Sequence, residues 1–571
     1  MDCRDMIVSG DYFELVLDFP LEGAFAQESD MDYCYQRIEG SLGVIFVPRS
    51  SYPDLSASRF LYRYIPELFG LEGFPSAGSA QFDPQPLEIS GILSQQRPPL
   101  ELTGRGVIFA VIDTGISYEN PVFRYSDGSS RILAIWDQTD QSGQPPEGFA
   151  YGTEYTQEQI NEALLASDPH SVVPQRDEIG HGTAIASVAA GSRLDGGVTF
   201  TGAAPDAQLV VVKVKPAKQF LRNYYMIKED VPAYSTSDLL FAVKYVQQFA
   251  VPFERPVVLC IGMGSSLGSH NGGSFFTDYL QHVTSQLGMV SVVSGGNEGN
   301  SAGHFRANLT EEAKLVEIRV GENTRGFMAE LWGESPALFQ LSIRSPGGEV
   351  IPEVNFRIGR EVDYTFVYEK TRVIMNYVPN ERNTGDELIV LRFEAPSPGV
   401  WTIQVRGVRS LAASVFDIWL TQKQFQDGEV HFLTPTPEIT LTMPSYTTDA
   451  VTATTYNSSN GSFYYNSGQG FSRTGRVKPD LAAPGVSVST VNGPYSGGAM
   501  AAAITAGAAL QLMQWCVVEG NALFVSGREI KGYLSRGARE ESAYDYPNRQ
   551  WGYGRLDLKG TFDVIAGRLP G

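Results

Sequence analysis

Cysteine is scarce in this chain. Its 571 residues include four cysteines, which are too few and too widely separated for a disulfide framework, and no two of them have the spacing of metal ligands. We therefore expect a protein of a reducing compartment that has no metal centre and no cofactor. Cys260 and Cys516 stand in apolar runs and are predicted to be buried small hydrophobic side chains.

Basic charge is also in short supply. Lys and Arg number 43 against 64 Asp and Glu, which gives a formal net charge of −21. Such a field repels nucleic acid and anionic membranes, so neither is predicted as a partner. No run is expected to reach the ~20 apolar residues that cross a bilayer. The first residues lack the basic and then apolar pattern of a signal peptide, which predicts synthesis in the cytoplasm.

The chain does have the composition of a globular protein, with 42% hydrophobic and 19% charged residues. Within residues 81–307, nearly continuous apolar runs alternate with helical patterns. The apolar runs cover residues 106–112, 208–214, 256–261 and 289–293, and the helical patterns cover 235–249 and 274–287. Strands of this kind, separated by helices, predict an α/β fold with a parallel sheet covered on both faces. Ligands of such sheets bind at the carboxyl ends of the strands.

The α/β pattern is interrupted and then resumes. Residues 308–435 contain short strand-like runs separated by Gly and Pro turns, which is the pattern of an antiparallel sandwich. Residues 436–571 return to the α/β pattern and include a helix of small residues over 499–516. We therefore expect residues 81–307 and 436–571 to be two parts of one α/β core.

The first zone, residues 1–80, is predicted to be a small α+β unit. Strand-like runs cover 12–19 and 42–47, and residues 56–65 have a helical pattern that stops at a proline. Residues 73–84 are rich in Gly, Ser and Pro, which predicts a flexible linker to the rest of the chain.

Three segments carry the residue types of a nucleophilic hydrolase. Asp113 ends an apolar run within Asp-Thr-Gly, and His181 stands in Gly-His-Gly-Thr before a run of small residues. The third segment reads Gly-Gly-Ala-Met-Ala around Ala499, at the start of the small-residue helix. In such hydrolases a hydroxyl at a helix start attacks, a histidine takes its proton, and an aspartate fixes the imidazole tautomer. An unpaired carboxylate at a buried strand end is costly, which supports pairing of Asp113 with His181.

These segments resemble the triad motifs of the subtilisin-like (S8) serine proteases, in that family's chain order. The resemblance implies a parallel sheet flanked by helices, with Asn297 of Ser-Gly-Gly-Asn as a donor to the oxyanion. It also implies a strand against which an extended substrate pairs, made of Gly262, Met263 and Gly264. The family usually has serine where Gly262 stands.

More narrowly, the chain resembles the Csp type of this family, proteases that act in spore germination. It shares Ile-Trp-Asp-Gln at 135–138, Gly-Ser-His-Asn-Gly at 268–272 and the inserted sandwich. The resemblance implies that residues 1–80 are a prodomain, a chaperone that stays in the cleft, and that 308–435 are a jelly roll clamping the core. It implies a protein partner, either the zymogen of a cortex-degrading hydrolase or a sister protease, and packaging in the spore.

The nucleophile that this resemblance requires is missing. The methyl group of Ala499 cannot attack a carbonyl, and loss of such a nucleophile costs about a million-fold in turnover. Two explanations stay open, a laboratory substitution that traps an uncleaved pro-form and a natural loss of activity. The other three motif residues are intact, which favours the first. Gly262 and Gly498, in place of Ser and Thr, favour the second.

Two functions therefore stay open for the chain as written. One is a serine endopeptidase, inactive at its nucleophile, whose parent cuts a protein zymogen. The other is a binding and signalling pseudoprotease that regulates germination without turnover. A metallohydrolase is a poorly supported third class, because the histidines lack ligand spacing. Among those histidines, His270 is predicted to be structural, and His170, His282 and His304 are predicted to lie at the surface.

Overall fold

The computed structural model describes residues 2–18, 32–52, 55, 62–78, 81–194, 200–309, 313–354, 361–408 and 414–568. Within these ranges the chain forms an eight-stranded central sheet between helices, two antiparallel sheets that share a core, and smaller sheets near the N-terminal segment. The central sheet draws its strands from the two α/β zones of the sequence, and the two antiparallel sheets come from the zone between them.

Strands and helices are numbered in chain order. The strands are β1 (Tyr12–Leu17), β2 (Cys34–Glu39), β3 (Leu42–Pro48), β4 (Leu68–Leu71), β5 (Phe74–Pro75), β6 (Ile108–Asp113), β7 (Ile132–Asp137), β8 (Thr153–Thr156), β9 (Gln208–Lys213), β10 (Tyr234–Ser235), β11 (Val257–Ile261), β12 (Met263–Gly264), β13 (Met289–Ser294), β14 (His304–Leu309), β15 (Lys314–Val320), β16 (Gly326–Gly333), β17 (Phe339–Arg344), β18 (Val350–Val354), β19 (Glu361–Thr365), β20 (Arg372–Val378), β21 (Glu387–Glu394), β22 (Gly399–Gly407), β23 (Ser414–Leu420), β24 (Val430–Phe432), β25 (Val451–Tyr456), β26 (Leu481–Pro484), β27 (Val488–Thr490) and β28 (Gly493–Ser496). The α-helices are α1 (Cys3–Val8), α2 (Gln85–Ile89), α3 (Ile92–Gln95), α4 (Gln157–Leu165), α5 (His181–Ala190), α6 (Gln219–Tyr224), α7 (Thr236–Phe253), α8 (Phe275–Thr284), α9 (Gly498–Met513), α10 (Gly527–Arg536) and α11 (Leu558–Ile565).

The central sheet has the order β26-β25-β13-β11-β6-β9-β7-β8. Neighbouring strands are parallel except for β7 and β8, which are antiparallel. The predicted parallel sheet is therefore confirmed, and both α/β zones contribute to it.

Alternate residues of the central strands face opposite helical layers. In β6, Phe109 and Val111 pack with α5, α9 and α10, whereas Ile108, Ala110 and Ile112 pack with α7 and α8. Successive side chains of a strand point to opposite faces, so a strand covered on both sides needs an unbroken apolar run. This double coverage explains why these strands were visible in the sequence.

Helix α9 runs through the core beside the central strands. All of its residues are buried, and it continues as a π-helix over Gln514–Val518. The whole stretch, Gly498–Val518, has 21 residues and is long and apolar enough to cross a bilayer. An 18-residue window of it has a mean hydropathy of 1.5, and 83% of that window is buried inside the protein. The prediction that no run reaches this length was wrong, because a helix packed on all sides in a core is as apolar as a spanning one.

The N-terminal zone forms an antiparallel sheet in the order β1-β3-β2. One face, with Val16, Val44 and Phe46, packs with α7 and α8, and the other, with Phe13 and Ile45, packs toward the inserted sheets. The predicted strands of this zone are present within the described residues. The predicted helix over 56–65 falls largely outside them, and Tyr62–Tyr64 form a short 3-10 turn.

Two of the four cysteines are bonded to each other. Cys3 of α1 and Cys34 of β2 form a disulfide, with their Cα atoms 5.3 Å apart. The sequence predicted no disulfide framework and did not reveal this single pair, because the N-terminal fold brings together two residues that are 31 positions apart. Cys260 and Cys516 are free and buried, as predicted.

Buried charges join the N-terminal sheet to the central domain. Glu14 of β1 accepts hydrogen bonds from the hydroxyls of Ser235 (2.6 Å) and Ser237 (2.9 Å). Its other oxygen lies 3.8 Å from the Nζ atoms of both Lys215 and Lys218. Burial acts to raise the pKa of Glu14, but the two lysines and two hydroxyls outweigh it and hold the pKa below its ordinary value. The N-terminal sheet is therefore fixed by specific contacts as well as by apolar packing.

The inserted zone forms two antiparallel sheets with the orders β14-β23-β16-β21-β20-β19 and β18-β17-β22-β15-β24. Side chains of both sheets meet in one core, which includes Phe327, Phe393 and Trp401. The Phe327 and Phe393 rings are stacked with centroids 4.4 Å apart. The short runs of the sequence thus pair as a sandwich.

Two histidines lie where this sandwich meets the central domain. His270 is buried and stacked on Trp419 at 3.9 Å, as a structural role predicts. His304 also stacks on Trp419 and is bonded to Asp417 at 2.9 Å. Its predicted surface position was therefore wrong, because β14 is covered by its partner strand and by the segment around Glu438, whose carbonyl bonds the other ring nitrogen.

Candidate active site

Asp113 and His181 form a buried pair at the carboxyl edge of the central sheet. Asp113 is the last residue of β6, and its Oδ1 lies 2.7 Å from His181 Nδ1. The backbone amide of Thr114 donates to the same oxygen at 2.8 Å. A carboxylate in this position keeps the imidazole proton on Nδ1 and leaves Nε2 to act as a base.

Small residues bring the two motifs into contact. Gly180 has a left-handed φ of +81° and leads into His181, the first residue of α5. A β-carbon on Gly182 would overlap the carbonyl oxygen of Gly115, so only glycine permits this approach. The Gly182 amide donates to the Thr114 hydroxyl at 2.9 Å. The two sequence motifs therefore interlock through their glycines and threonine.

Ala499, at the start of α9, lies close to the Asp113–His181 pair. A β-carbon placed on Gly73 of the N-terminal segment would lie 2.9 Å from His181 Nε2 and 3.2 Å from the Ala499 β-carbon. One placed on Gly262 would lie 3.2 Å from both Asp113 Oδ2 and the Ala499 β-carbon. His181 Nε2 is buried and, among the described residues, has no hydrogen-bond partner. The three motif positions therefore converge, with a methyl group where a triad has a hydroxyl.

Two donors converge on one carbonyl oxygen of the N-terminal segment. The Glu72 carbonyl accepts hydrogen bonds from the Ala499 amide at 2.9 Å and from Asn297 Nδ2 at 2.8 Å. The Gly498 amide orients Asn297 by donating to its Oδ1 at 3.1 Å. Donors in this arrangement stabilise the oxyanion of a tetrahedral intermediate. The peptide bond between Glu72 and Gly73 thus lies where a bond to be cut would lie.

The N-terminal segment crosses the cleft in an extended conformation. Before the central peptide bond, β4 is antiparallel to β12, with Met263 opposite Leu71 and Gly264 opposite Gly70. The Glu72 amide donates to the Gly262 carbonyl at 3.0 Å. After that bond, β5 is antiparallel to β28. The segment is therefore bound on both sides by addition of strands, and residues 262–264 lie against it.

Residues 73–78 and 81–84, the described part of the stretch over 73–84, differ from the flexible linker predicted from its composition. Beyond β5, the Ser76 amide donates to the Pro494 carbonyl at 2.9 Å. The Asp83 amide donates to the Ser489 hydroxyl at 3.0 Å. Composition misleads here because the hydrogen bonds that order the segment come from β27 and β28, more than 400 residues away in the chain.

Two glycines that depart from the family pattern are crowded by neighbours. A β-carbon on Gly262 would overlap Cδ1 of Ile185, and one on Gly498 would overlap the Ser294 hydroxyl. That hydroxyl is itself fixed, because it accepts a hydrogen bond from the Gly296 amide at 3.1 Å. Serine at 262 or threonine at 498 therefore requires neighbouring side chains to move.

Glu72 is the site residue that sequence reasoning missed. Its side chain is 1% exposed and accepts a hydrogen bond from the Thr442 hydroxyl. Burial raises the pKa of Glu72 to about 8, and the nearby hydroxyls of Ser294 and Thr442 only partly oppose this rise. A single glutamate beside a predicted linker carries no signal, since only the register of the segment in the cleft reveals its place.

The chemistry available at this site belongs to its side chains and amides. Within the described part of the chain, no group of three or more His, Cys, Asp or Glu side chains could hold a metal ion. The arrangement can bind an extended peptide, polarise one of its carbonyls and present a base to it.

This fold and constellation define a class of protein. The model of the Subtilase family of peptidases matches residues 104–554, so the chain belongs to the subtilase family, as the sequence motifs predicted. Among solved structures it is similar to the CspB protease of Clostridium perfringens, at 26% identity and a TM-score of 0.75, over 85% of this chain and 100% of that one.

A curated plant protein gives a more limited match. The chain is 27% identical over 220 residues to the Subtilisin-like protease SBT3.6 of Arabidopsis thaliana, which covers 34% of this chain and 26% of that protein. The match thus spans about a quarter of the length of that relative. It agrees with the family and is silent on the rest of either protein.

Proposed function

We propose that this chain is a subtilase of the Csp type whose cleft binds its own N-terminal segment and leaves it uncut. The observation that carries the proposal is the Glu72 carbonyl, held by Asn297 and the Ala499 amide with no nucleophile beside it. Residues 1–80 would then be a prodomain that assists folding and afterwards blocks the cleft. The likeness to CspB supports this proposal.

A parent enzyme with serine at position 499 would cut between Glu72 and Gly73. His181 Nε2 would take the hydroxyl proton while the oxygen attacks the Glu72 carbonyl carbon, and Asp113 would stabilise the imidazolium. The oxyanion would accept hydrogen bonds from Asn297 Nδ2 and the backbone amide of residue 499. One such donor lowers the activation barrier by about 3–4 kcal/mol. The imidazolium would then protonate the Gly73 nitrogen as it leaves, and water would release the acyl group. We propose limited proteolysis of a protein zymogen in spore germination as the activity of that parent.

The direct test is the Ala499→Ser variant of the full chain. We expect self-cleavage into an N-terminal fragment that ends at Glu72, and labelling by a fluorophosphonate, and we expect neither in the unaltered chain. The matched control combines Ala499→Ser with His181→Ala, which keeps the hydroxyl and removes its base. Intact-mass spectrometry measures both. Absence of cutting and labelling in the single variant would contradict an endopeptidase parent.

The second candidate is a pseudoprotease that regulates germination by binding. The crowding of Gly262 by Ile185 and of Gly498 by Ser294 favours it, because the space that the family's side chains need is already filled. Its partner would be a sister protease or the zymogen of a cortex hydrolase, met after cytoplasmic synthesis and packaging in the spore. The net charge of −21 argues against nucleic acid and membrane partners. An inert Ala499→Ser variant that still captures the purified partner is the result this candidate predicts.

The inserted sandwich is proposed to be a jelly roll that clamps the N-terminal segment on the core. Tyr62, shortly before β4, donates to Glu330 of β16, and the Gly268 amide of the central domain donates to the same side chain at 2.8 Å. Farther along, Gln424 Nε2 donates to the Leu71 carbonyl at 3.0 Å. One carboxylate thus joins three parts of the molecule next to the cleft.

A further inference from the structure

We propose that the pocket around the Glu72 side chain is built for an uncharged glutamyl or glutaminyl side chain. A protein that takes the place of the N-terminal segment must then carry Glu or Gln followed by Gly at the bond beside Ala499. The inference rests on the proposed function in that it takes the cleft to be a peptide-binding site. It adds the chemistry of the side chain that this site selects.

The pocket is opened by glycine and closed by hydroxyl groups. A β-carbon on Gly264 of β12 would overlap Glu72 Oε1, so any other residue there would fill the space. The Thr442 hydroxyl donates to the same oxygen. Gly296 lies close to Thr442, and a β-carbon on Gly296 would be 2.6 Å from Thr442 Oγ1. The Thr442 hydroxyl, an uncharged donor, therefore closes the end of the pocket.

The charges around the pocket oppose a carboxylate. In the described part of the chain, Glu72 Oε2 is buried without a hydrogen-bond partner. A second buried acid, Glu298, raises the pKa of Glu72 further through its charge. Burial of an unpaired carboxylate is costly, so this pocket holds the acid in its protonated form. A glutamine side chain has the same shape and no charge to remove.

The residue after Glu72 is restricted by the catalytic pair. A β-carbon on Gly73 would lie 2.9 Å from Nε2 and 3.3 Å from Cδ2 of His181, which is fixed in turn by Asp113. Contacts this short require movement of a buried ring. Glycine is therefore selected at this position, and the preferred pair is Glu-Gly or Gln-Gly.

This chemistry makes binding of the N-terminal segment depend on pH. The pKa of Glu72 rises from an ordinary 4.5 to about 8 when the pocket is occupied. The bound state thus holds its proton more tightly, so binding is complete below the ordinary pKa and is lost as the pH rises toward 8. The polar groups that face the Glu72 side chain are the Glu298 carboxyl and the Thr442 and Ser294 hydroxyls. His181, paired with Asp113, lies beside the next residue, Gly73. Between about pH 5 and pH 8 the opening constant should rise about tenfold per pH unit.

Hydrogen exchange of the full chain tests the pocket. The amides of residues 70–76 are followed by mass spectrometry at pH 5 to 8 in the unaltered chain and in Glu72→Gln, Glu72→Lys and Thr442→Val. Each variant is compared at the same pH, which cancels the pH dependence of exchange itself. The control is Glu88→Gln, an exposed glutamate at the start of α2.

We expect the protection of residues 70–76 in Glu72→Gln to be the same at every pH. In the unaltered chain, protection should fall by about tenfold per pH unit compared with that of Glu72→Gln. Glu72→Lys should remove protection, Thr442→Val should weaken it, and Glu88→Gln should match the unaltered chain. Full protection in Glu72→Lys would overturn the inference, as would the same pH dependence in Glu72→Gln and the unaltered chain.

The outcome is separable from that of the proposed function. Exchange measures binding and not cutting, so an inert Ala499→Ser variant leaves the conclusion about the pocket in place. Rapid exchange of residues 70–76 in the unaltered chain at pH 5 would instead overturn both, because the cleft would then not hold this segment.

Discussion

The two sides of the cleft differ in how closely they keep the family pattern. The base side, with Asp113, His181 and Asn297, has the hydrogen bonds of a working protease. The nucleophile side, with Ala499 and Gly498, has lost a hydroxyl and a side chain. The segment is nevertheless held, because the α9 donor to the Glu72 carbonyl is a backbone amide. Under the proposed function, binding and cutting are therefore separable in this cleft.

The largest effect on the rate of self-cleavage should come from a substitution on the base side, once Ala499→Ser has supplied a hydroxyl. In the Ala499→Ser background, Asp113→Asn should slow self-cleavage by about 10⁴-fold, because the imidazole proton would no longer be fixed on Nδ1. Quantifying the N-terminal fragment over time measures this. The same substitution in the unaltered chain should leave the segment bound. Equal cleavage rates with and without Asp113→Asn would mean that the pair has no catalytic role.

A smaller effect is expected at the oxyanion donor, which serves both cutting and binding. In the Ala499→Ser background, Asn297→Ala should slow cleavage by about 10²–10³-fold. In the unaltered chain it should weaken protection of the segment by only about 1 kcal/mol, the net value of one hydrogen bond. Cleavage kinetics and hydrogen exchange give the two numbers. If both changed by the same factor, the donor would act on binding alone.

The smallest effect concerns packing of the nucleophile side. Gly498→Ser should destabilise the protein by about 1–3 kcal/mol, because its β-carbon would overlap the Ser294 hydroxyl. The control is Gly10→Ser, since nothing lies within 4 Å of a β-carbon there. Thermal unfolding compares the two. A stable Gly498→Ser variant would show that this side still has room for a hydroxyl-bearing side chain, which would weaken the pseudoprotease candidate.

The parts of the molecule predicted from sequence are those set by local patterns. Strands β6, β9, β11 and β13 could be predicted because they are buried on both faces, and Asp113 and His181 because they stand in the motifs Asp-Thr-Gly and Gly-His-Gly-Thr. The parts that were missed depend on distant contacts. Glu72 enters its pocket through pairing with β12, and Cys3 meets Cys34 through the N-terminal fold. His304 is buried because β23 and the segment around Glu438 cover it.

The described residues of the Gly-rich stretch, 73–78 and 81–84, likewise show that local sequence does not predict order that depends on distant contacts. Its composition favours a loop, and its order comes from strands that lie near the other end of the chain. The apolar run of α9 is a related case, because its sequence fits either a membrane span or a core helix and only the tertiary structure shows that protein covers it.

A crystal structure of the unaltered full chain tests the central claim most directly. The account predicts continuous density for residues 68–76 through the cleft, with the Glu72 carbonyl oxygen within hydrogen-bonding distance of Asn297 Nδ2 and the Ala499 amide. An unoccupied cleft, or a different peptide bond between these two donors, would contradict it.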